Sequence, residues 1–398
     1  MENRVNENDL LNRMPMKLRS IPIVLAAALA VSLPLRGSAR GFNFKGLVSP
    51  WITARFEGPP ESVFSVRFIP EASFSFKAGR DITLDAEASA NAFRSARFSS
   101  GNVELAKFDL KPYRAWLRFS TSRFEARLGL QKVNFGSASL FRPLMWFDSL
   151  DPRDPLQITD GVYALLLRYY TKGNANFWAW SMYGNDKARG WDIAPPDKKS
   201  PEFGGRVQVP LFKGELAATY HHRRADIDSL MPPMSPGPVS PVSEERFGLD
   251  GKWDIGVGVW IEGGLIHQKT ALLPLPWQRA LNIGLDYTFG VGNGLNVLAE
   301  HFRLESSSRA FESGESRSFS ALLLRYPLSL IDEVTGIFYY DWKSRNAFRF
   351  FSWKRTYDAI SLNLMLFWNP KELVVFPGQS GSGSFAGTGL QLLLAYHF

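Results

Sequence analysis

The sequence predicts an all-β protein, a closed antiparallel transmembrane β-barrel of about 18 strands with short periplasmic turns and long extracellular loops. Three observations lead there. The last nine residues alternate strictly between apolar and other side chains. Segments with the same alternation recur along the chain about every 10 to 20 residues. The connections between them are short and long by turns, as in barrels whose two rims differ.

In the terminal stretch, Leu390, Leu392, Leu394, Tyr396 and Phe398 share one parity, with Gln391, Leu393, Ala395 and His397 between them. Period-two alternation over this length is a strand with one apolar face. Left open at an edge, such a strand is an aggregation hazard. It is stable when the apolar face meets lipid and both edges are paired. The terminal Phe, the aromatic two residues earlier and the alternating hydrophobics resemble the assembly signal of bacterial outer-membrane β-barrels.

At the other end, residues 1–39 read as a removed signal peptide, leaving 40–398 for the barrel. Lys17 and Arg19 precede an apolar run from Ile21 to Leu33, and Gly37-Ser38-Ala39 supplies small residues for cleavage. The run is too short for a helical span. Met14 or Met16 would start a more ordinary signal peptide.

Composition agrees. There is no cysteine, so neither a disulfide framework nor a thiolate metal site can form. The five His residues show no metal-ligand spacing beyond the neighbours His221 and His222. No metal or cofactor is expected. Mean hydropathy is −0.14, too polar for helical spans but suited to strands with one lipid and one water face. The formal charge is +8, and about +6 remains once the signal region, with five basic and three acidic residues, is removed. Its basic residues are spread over strands rather than clustered, so nucleic acid is not an expected partner.

The strands are expected near 44–56, 63–77, 82–93, 112–120, 124–133, 162–171, 175–184, 202–209 and 215–223. They continue near 245–254, 257–267, 279–289, 295–304, 317–326, 332–342, 356–368, a short one at 372–376, and 387–398. Residues 94–111 and 343–355 read as long external loops and Asn369-Pro370 as a periplasmic turn. The short segment at 372–376 is what brings the count to eighteen and both ends to one rim; without it the last strand would run the wrong way. Sixteen is the alternative count.

A charged side chain facing lipid at mid-depth costs roughly 2–4 kcal/mol, so the charged parity of each strand faces the lumen. That places Arg67, Arg114, Arg118, Arg127, Arg168, Arg246 and Lys252 inside, with Asp85, Glu87, Glu125, Asp250, Asp286 and Glu300. An Arg-bearing wall selects anions if its charges are free, and merely braces the wall if they pair across strands. Trp51, Tyr113, Tyr169, Trp253, Tyr287, Trp368 and Tyr396 read as an aromatic girdle.

Residues 134–161, the third external loop, are rich in apolar side chains (Leu140, Phe141, Leu144, Met145, Trp146, Phe147) and braced by Pro143, Pro152 and Pro155. Asp148, Asp151 and Asp154 can cap its turns. Such a loop is expected to fold inward and narrow the channel. Gly129-x-Gln131-x-Val133-x-Phe135-Gly136, followed by Asp151-Pro152-x-Asp154-Pro155, resembles outer-membrane porins of the alginate-export and porin-like superfamily. Leu130 and Phe135 stand where that family more often has Arg and Trp. The resemblance, with the lumenal charges, implies constriction or pore-lining roles for Arg114, Arg118, Glu125, Arg127, Gln131, Arg168, Asp148, Asp151 and Asp154.

His221 and His222, with Asp226 or Asp228 beyond, are the one seed of a hydrolase, without a nucleophile motif to complete it. They read as a solvated strand-end pair, and no catalytic residue is expected. The expected function is a porin-like channel in the Gram-negative outer membrane, passing small anionic or polar solutes by diffusion. A structural barrel anchoring partner proteins is the alternative, and an outer-membrane hydrolase is the remoter one. Expected partners are outer-membrane lipid and lipopolysaccharide, the barrel-assembly machinery through the Phe398 strand, and small solutes. A homo-oligomer or partner proteins are compatible with this reading.

Overall fold

The computed structural model of the protein describes residues 37–39, 41–57, 61–99, 102–230, 240–371 and 385–398. A three-residue strand, β1 (Gly37–Ala39), pairs with the start of β2. The barrel itself begins with β2 (Phe42–Arg55), β3 (Glu61–Ala78), β4 (Ile82–Ser99), β5 (Asn102–Ser120), β6 (Phe124–Gln131) and β7 (Val162–Tyr170). It continues through β8 (Asn176–Met182), β9 (Glu202–Leu211), β10 (Gly214–Ala225), β11 (Val242–Asp254), β12 (Gly258–Gln268) and β13 (Trp277–Phe289). It ends with β14 (Leu295–Ser307), β15 (Glu315–Pro327), β16 (Asp332–Asp341), β17 (Asn346–Thr356), β18 (Ile360–Trp368) and β19 (Thr388–His397). Each of β2 to β19 pairs antiparallel with the next, and β19 pairs with β2, so eighteen strands close the barrel.

The count of eighteen is reached by a different route from the one expected. β17 occupies residues assigned to a loop, whereas 372–376 lies outside the described residues. With β17 present, Asn369-Pro370 belongs to the long-loop rim. Residues 94–111 also differ: β4 and β5 run on through them to the Ser99–Asn102 pair, and at 18 and 19 residues they are, with the 18-residue β3, the longest strands described.

Strand faces follow the alternation. On β13, Leu281, Ile283, Leu285 and Tyr287 are exposed on the outside while Gln278 and Asn282 are buried inside. Two members of the expected girdle do not belong to it. Trp51 faces the lumen, and Tyr113 sits at a β-bulge beneath the Arg114 guanidinium.

Closure depends on Phe398. Its backbone exchanges hydrogen bonds with Gly46 (3.0 and 3.1 Å), and its ring packs on Phe44, Phe68 and Tyr396. A Cβ at position 46 would lie 2.4 Å from that ring, so glycine is required. Pro50 cannot donate to the β19 ladder; nearby, the Ser49 hydroxyl donates to the Leu394 carbonyl (2.8 Å).

Candidate functional site

The site is built by the segment from 132 to 161, which leaves the wall after β6 and fills part of the lumen. Its launch residues are those of the Gly-x-Gln-x-Val-x-Phe-Gly stretch, and each has a mechanical role. Gly129 adopts a positive φ, and a Cβ there would collide with the Ala115 carbonyl 2.2 Å away. Gln131 is fully buried and donates to the Arg127 and Ala164 carbonyls. Phe135 packs against Trp146, Phe147 and Trp180, with Arg206 over its ring. Gly136 lets the backbone pass the Glu262 carboxylate, where a Cβ would come within 2.4 Å.

The inward fold expected for this loop is what the structure has. Two wall carboxylates hold it. Glu262 on β12 accepts the backbone N–H groups of Ala138 (2.8 Å) and Leu144 (2.7 Å). Glu300 on β14 accepts those of Ser139, Leu140 and Phe141, and the Trp260 indole N–H. Ser137 donates to Asp250. Buried carboxylates surrounded by N–H donors satisfy both the charge and the loop's backbone, which has no ladder of its own. The loop's apolar side chains then meet an apolar inner wall. Leu140 and Phe141 pack with Phe302, Phe319, Tyr339, Phe348 and Phe350.

The next long connection, 183–201, folds inward as well, which its sequence did not signal. Its Trp191 donates to the Phe141 carbonyl (2.6 Å) and stacks on Phe302, while Asp192 pairs with Arg223 and Arg246. His221 is buried in the same packing rather than solvated. It accepts from Trp180, pairs with Glu202 and lies edge-on to Phe147. His222 faces the other way, onto Phe203 and Glu245. The two histidines therefore share no site.

Of the expected site residues, Asp151 and Asp154 line the space left open, but others are turned to partners of their own. Arg114 donates to the Tyr113 and Thr159 carbonyls and fastens the end of the loop. Asp148 is buried in a two-bond pair with Arg142. Glu125 sits among Arg118, Arg127 and Arg168, at 3.7, 3.1 and 3.6 Å, and Arg118 also pairs with Asp85. Arg127 lies over Trp116, and Arg168 over Trp178. This cluster braces β4 to β7, as opposite charges on neighbouring strands do.

The open space is a cavity of about 230 Å³ between the loop and the wall made by β19 and β2 to β5. Trp51, Arg67, Asn91, Lys111 and Gln391 line its wall side; Asp151, Asp154, Leu156, Ile158 and Asp160 line its loop side. Arg67 was legible as a lumenal charge but not as a member of this site. Its guanidinium lies beside the stacked Trp51 and Phe93 rings, 5.4 Å from each centroid. Asp151 is bound to Arg153, and Asp160 to Lys111 and Lys187. Burial works to raise the Asp160 carboxyl, but hydrogen bonds and charge from the two lysines outweigh it and hold it below its ordinary value. Burial raises the Asp154 carboxyl, which the N–H groups of Leu156 and Ile158 and the charge of Arg67 only partly offset.

No protein-family model matches the chain, and no curated relative does. Among solved structures, it is similar to OccK5 (OpdH) of Pseudomonas aeruginosa, at 12% identity and a TM-score of 0.55 over 89% of this chain and 97% of that one. It is also similar to OccAB1 of Acinetobacter baumannii, at 9% identity and a TM-score of 0.52 over 90% and 96%. The anion-selective porin from Comamonas acidovorans matches over 90% and 99%, at 12% identity and a TM-score of 0.44. At these identities the first two likenesses speak to fold. The closed barrel with an apolar outer face is an integral protein of the Gram-negative outer membrane.

Proposed function

We propose that the chain is a porin-like channel through which small polar solutes diffuse passively, rather than a hydrolase. On this reading residues 1–39 direct export and are removed, and 40–398 form the channel. The observation that carries it is the partial filling of the lumen. A barrel of eighteen strands leaves room for an aqueous path unless something occupies it. Here two inward-folded loops pack on one side, and a cavity lined by charges and amides remains on the other. Such a passage discriminates by size through the loop and by charge through the cavity wall.

The charge of the passage comes from groups at the cavity rather than from Arg118, Arg127 and Arg168, which lie against Glu125. Lys111 lies between Asp109 and Asp160, and Arg67 has no carboxylate within ion-pair distance among the described residues, so Arg67 is the cation the cavity offers to a solute's carboxylate. The test is swelling of liposomes that carry the folded mature protein, in neutral sugars of increasing size. Entry of arabinose but exclusion of trisaccharides supports the reading; no entry of any solute through folded protein contradicts it.

A further inference from the structure

Arg67 and Asp154 line the same cavity, and neither is ion-paired among the described residues. The other charges there are neutralised locally: Asp151 by Arg153, and Asp160 with Lys111 and Lys187. Arg67 forms no hydrogen bond among the described residues, and its Nε is buried without an acceptor. It rests beside the stacked Trp51–Phe93 pair, 5.4 Å from each ring centroid, and its fork of donors matches a carboxylate. Among the described residues Asp154 accepts only two backbone N–H groups, from Leu156 and Ile158, and has no cation within ion-pair distance, which leaves it room for a further donor. Asn91 supplies the third observation. It is 3% exposed, lines the cavity, and its carbonyl oxygen has no donor.

A buried cation, a buried anion and an orphaned acceptor facing one polar space are costly unless a solute completes them. We propose that this cavity is a subsite for a small zwitterion, an amino-acid-like molecule. Its carboxylate takes two parallel hydrogen bonds from Arg67, and its ammonium donates to Asp154 and the Asn91 carbonyl. A simple carboxylate leaves Asp154 and Asn91 unsatisfied, and a simple ammonium leaves Arg67 unsatisfied. Binding at such a site raises flux at low solute concentration so long as release stays fast. The inference rests on the channel reading above.

The experiment compares liposome swelling by three solutes of one size: β-alanine, 3-hydroxypropionate and 3-hydroxypropylammonium, with arabinose as the neutral control. Wild type, Arg67→Gln and Asp154→Asn are used, each shown to be folded by heat-modifiable migration. With wild type, β-alanine enters severalfold faster than either singly charged solute. R67Q lowers β-alanine to the rate of the ammonium, and D154N lowers it to the rate of 3-hydroxypropionate, every rate being taken relative to arabinose through the same variant. Rates ordered by net charge alone, or a β-alanine advantage that survives both substitutions, overturn the zwitterion subsite and leave the channel standing. Failure of arabinose to enter through folded wild type overturns the channel reading and this one with it.

Discussion

The Leu144 amide donates to the Glu262 carboxylate across 2.7 Å, joining a lumenal loop to a barrel strand 118 positions further along the chain. With the three amides held by Glu300, this contact fixes how much of the lumen is filled. A hydrogen bond to a charged acceptor contributes about 1.5–3 kcal/mol. The double variant Glu262→Gln/Glu300→Gln faces these N–H groups with further N–H donors, so the loop is released. Single-channel conductance is expected to rise roughly two-fold or more, since the loop sets the bore. Unchanged conductance in folded protein would mean that packing of Phe141 and Trp146 alone holds the loop.

Glu125 and its three arginines make a second prediction. Replacing Arg118 and Arg127 by Ser leaves Glu125 and Asp85 without these partners, and the reversal potential moves toward cations. Adding Asp85→Asn and Glu125→Gln restores the balance, and selectivity returns to the wild-type value. A cation shift that persists in the fourfold variant would assign the filter to the arginines themselves.

At the seam, Gly46→Val drives a side chain into the Phe398 ring, where even a Cβ would lie at 2.4 Å. Overpacking of this kind costs about 1–3 kcal/mol, here at the contact that closes the barrel. The folded fraction on refolding is expected to fall severalfold, read as loss of heat-modifiable protein. Phe398→Ala in the same background relieves the clash and recovers part of it.

Asp160 gives a pH signature. Its folded pKa lies below its unfolded one, because Lys111 and Lys187 outweigh burial. The stability it contributes is therefore present above the unfolded value of about 3.9 and is lost as pH falls through the lower folded value. Thermal melts of wild type and Asp160→Asn should differ at pH 6 and converge in strong acid. A gap that widens on acidification would reverse the assignment.

The barrel was legible because a lipid-facing parity imposes one pattern on nearly every strand. The pattern failed where the inner face is apolar too. In β17, Phe348 and Phe350 point inward onto the packed loop and Phe351 outward, so alternation vanishes and the strand reads as a loop. Phe302, Phe319 and Phe367 show the same inversion on β14, β15 and β18. The Gly129-to-Gly136 motif located the inward loop correctly; its residues turn out to serve close approach and anchoring. Which arginine stays free could not be read from sequence, since Arg67 and Arg118 occupy the same parity and differ only in a carboxylate across the ladder. The burial of His221 and the inward fold of 183–201 were hidden for a related reason: both depend on what the loop brings to them.

Planar-bilayer recording of the refolded mature protein in a salt gradient tests the central claim most directly. A barrel with one side of its lumen open gives discrete, stable current steps and a modest anion-favouring reversal potential. A folded, heat-modifiable protein that carries no current would show that the loops close the lumen completely and that the chain is not a channel.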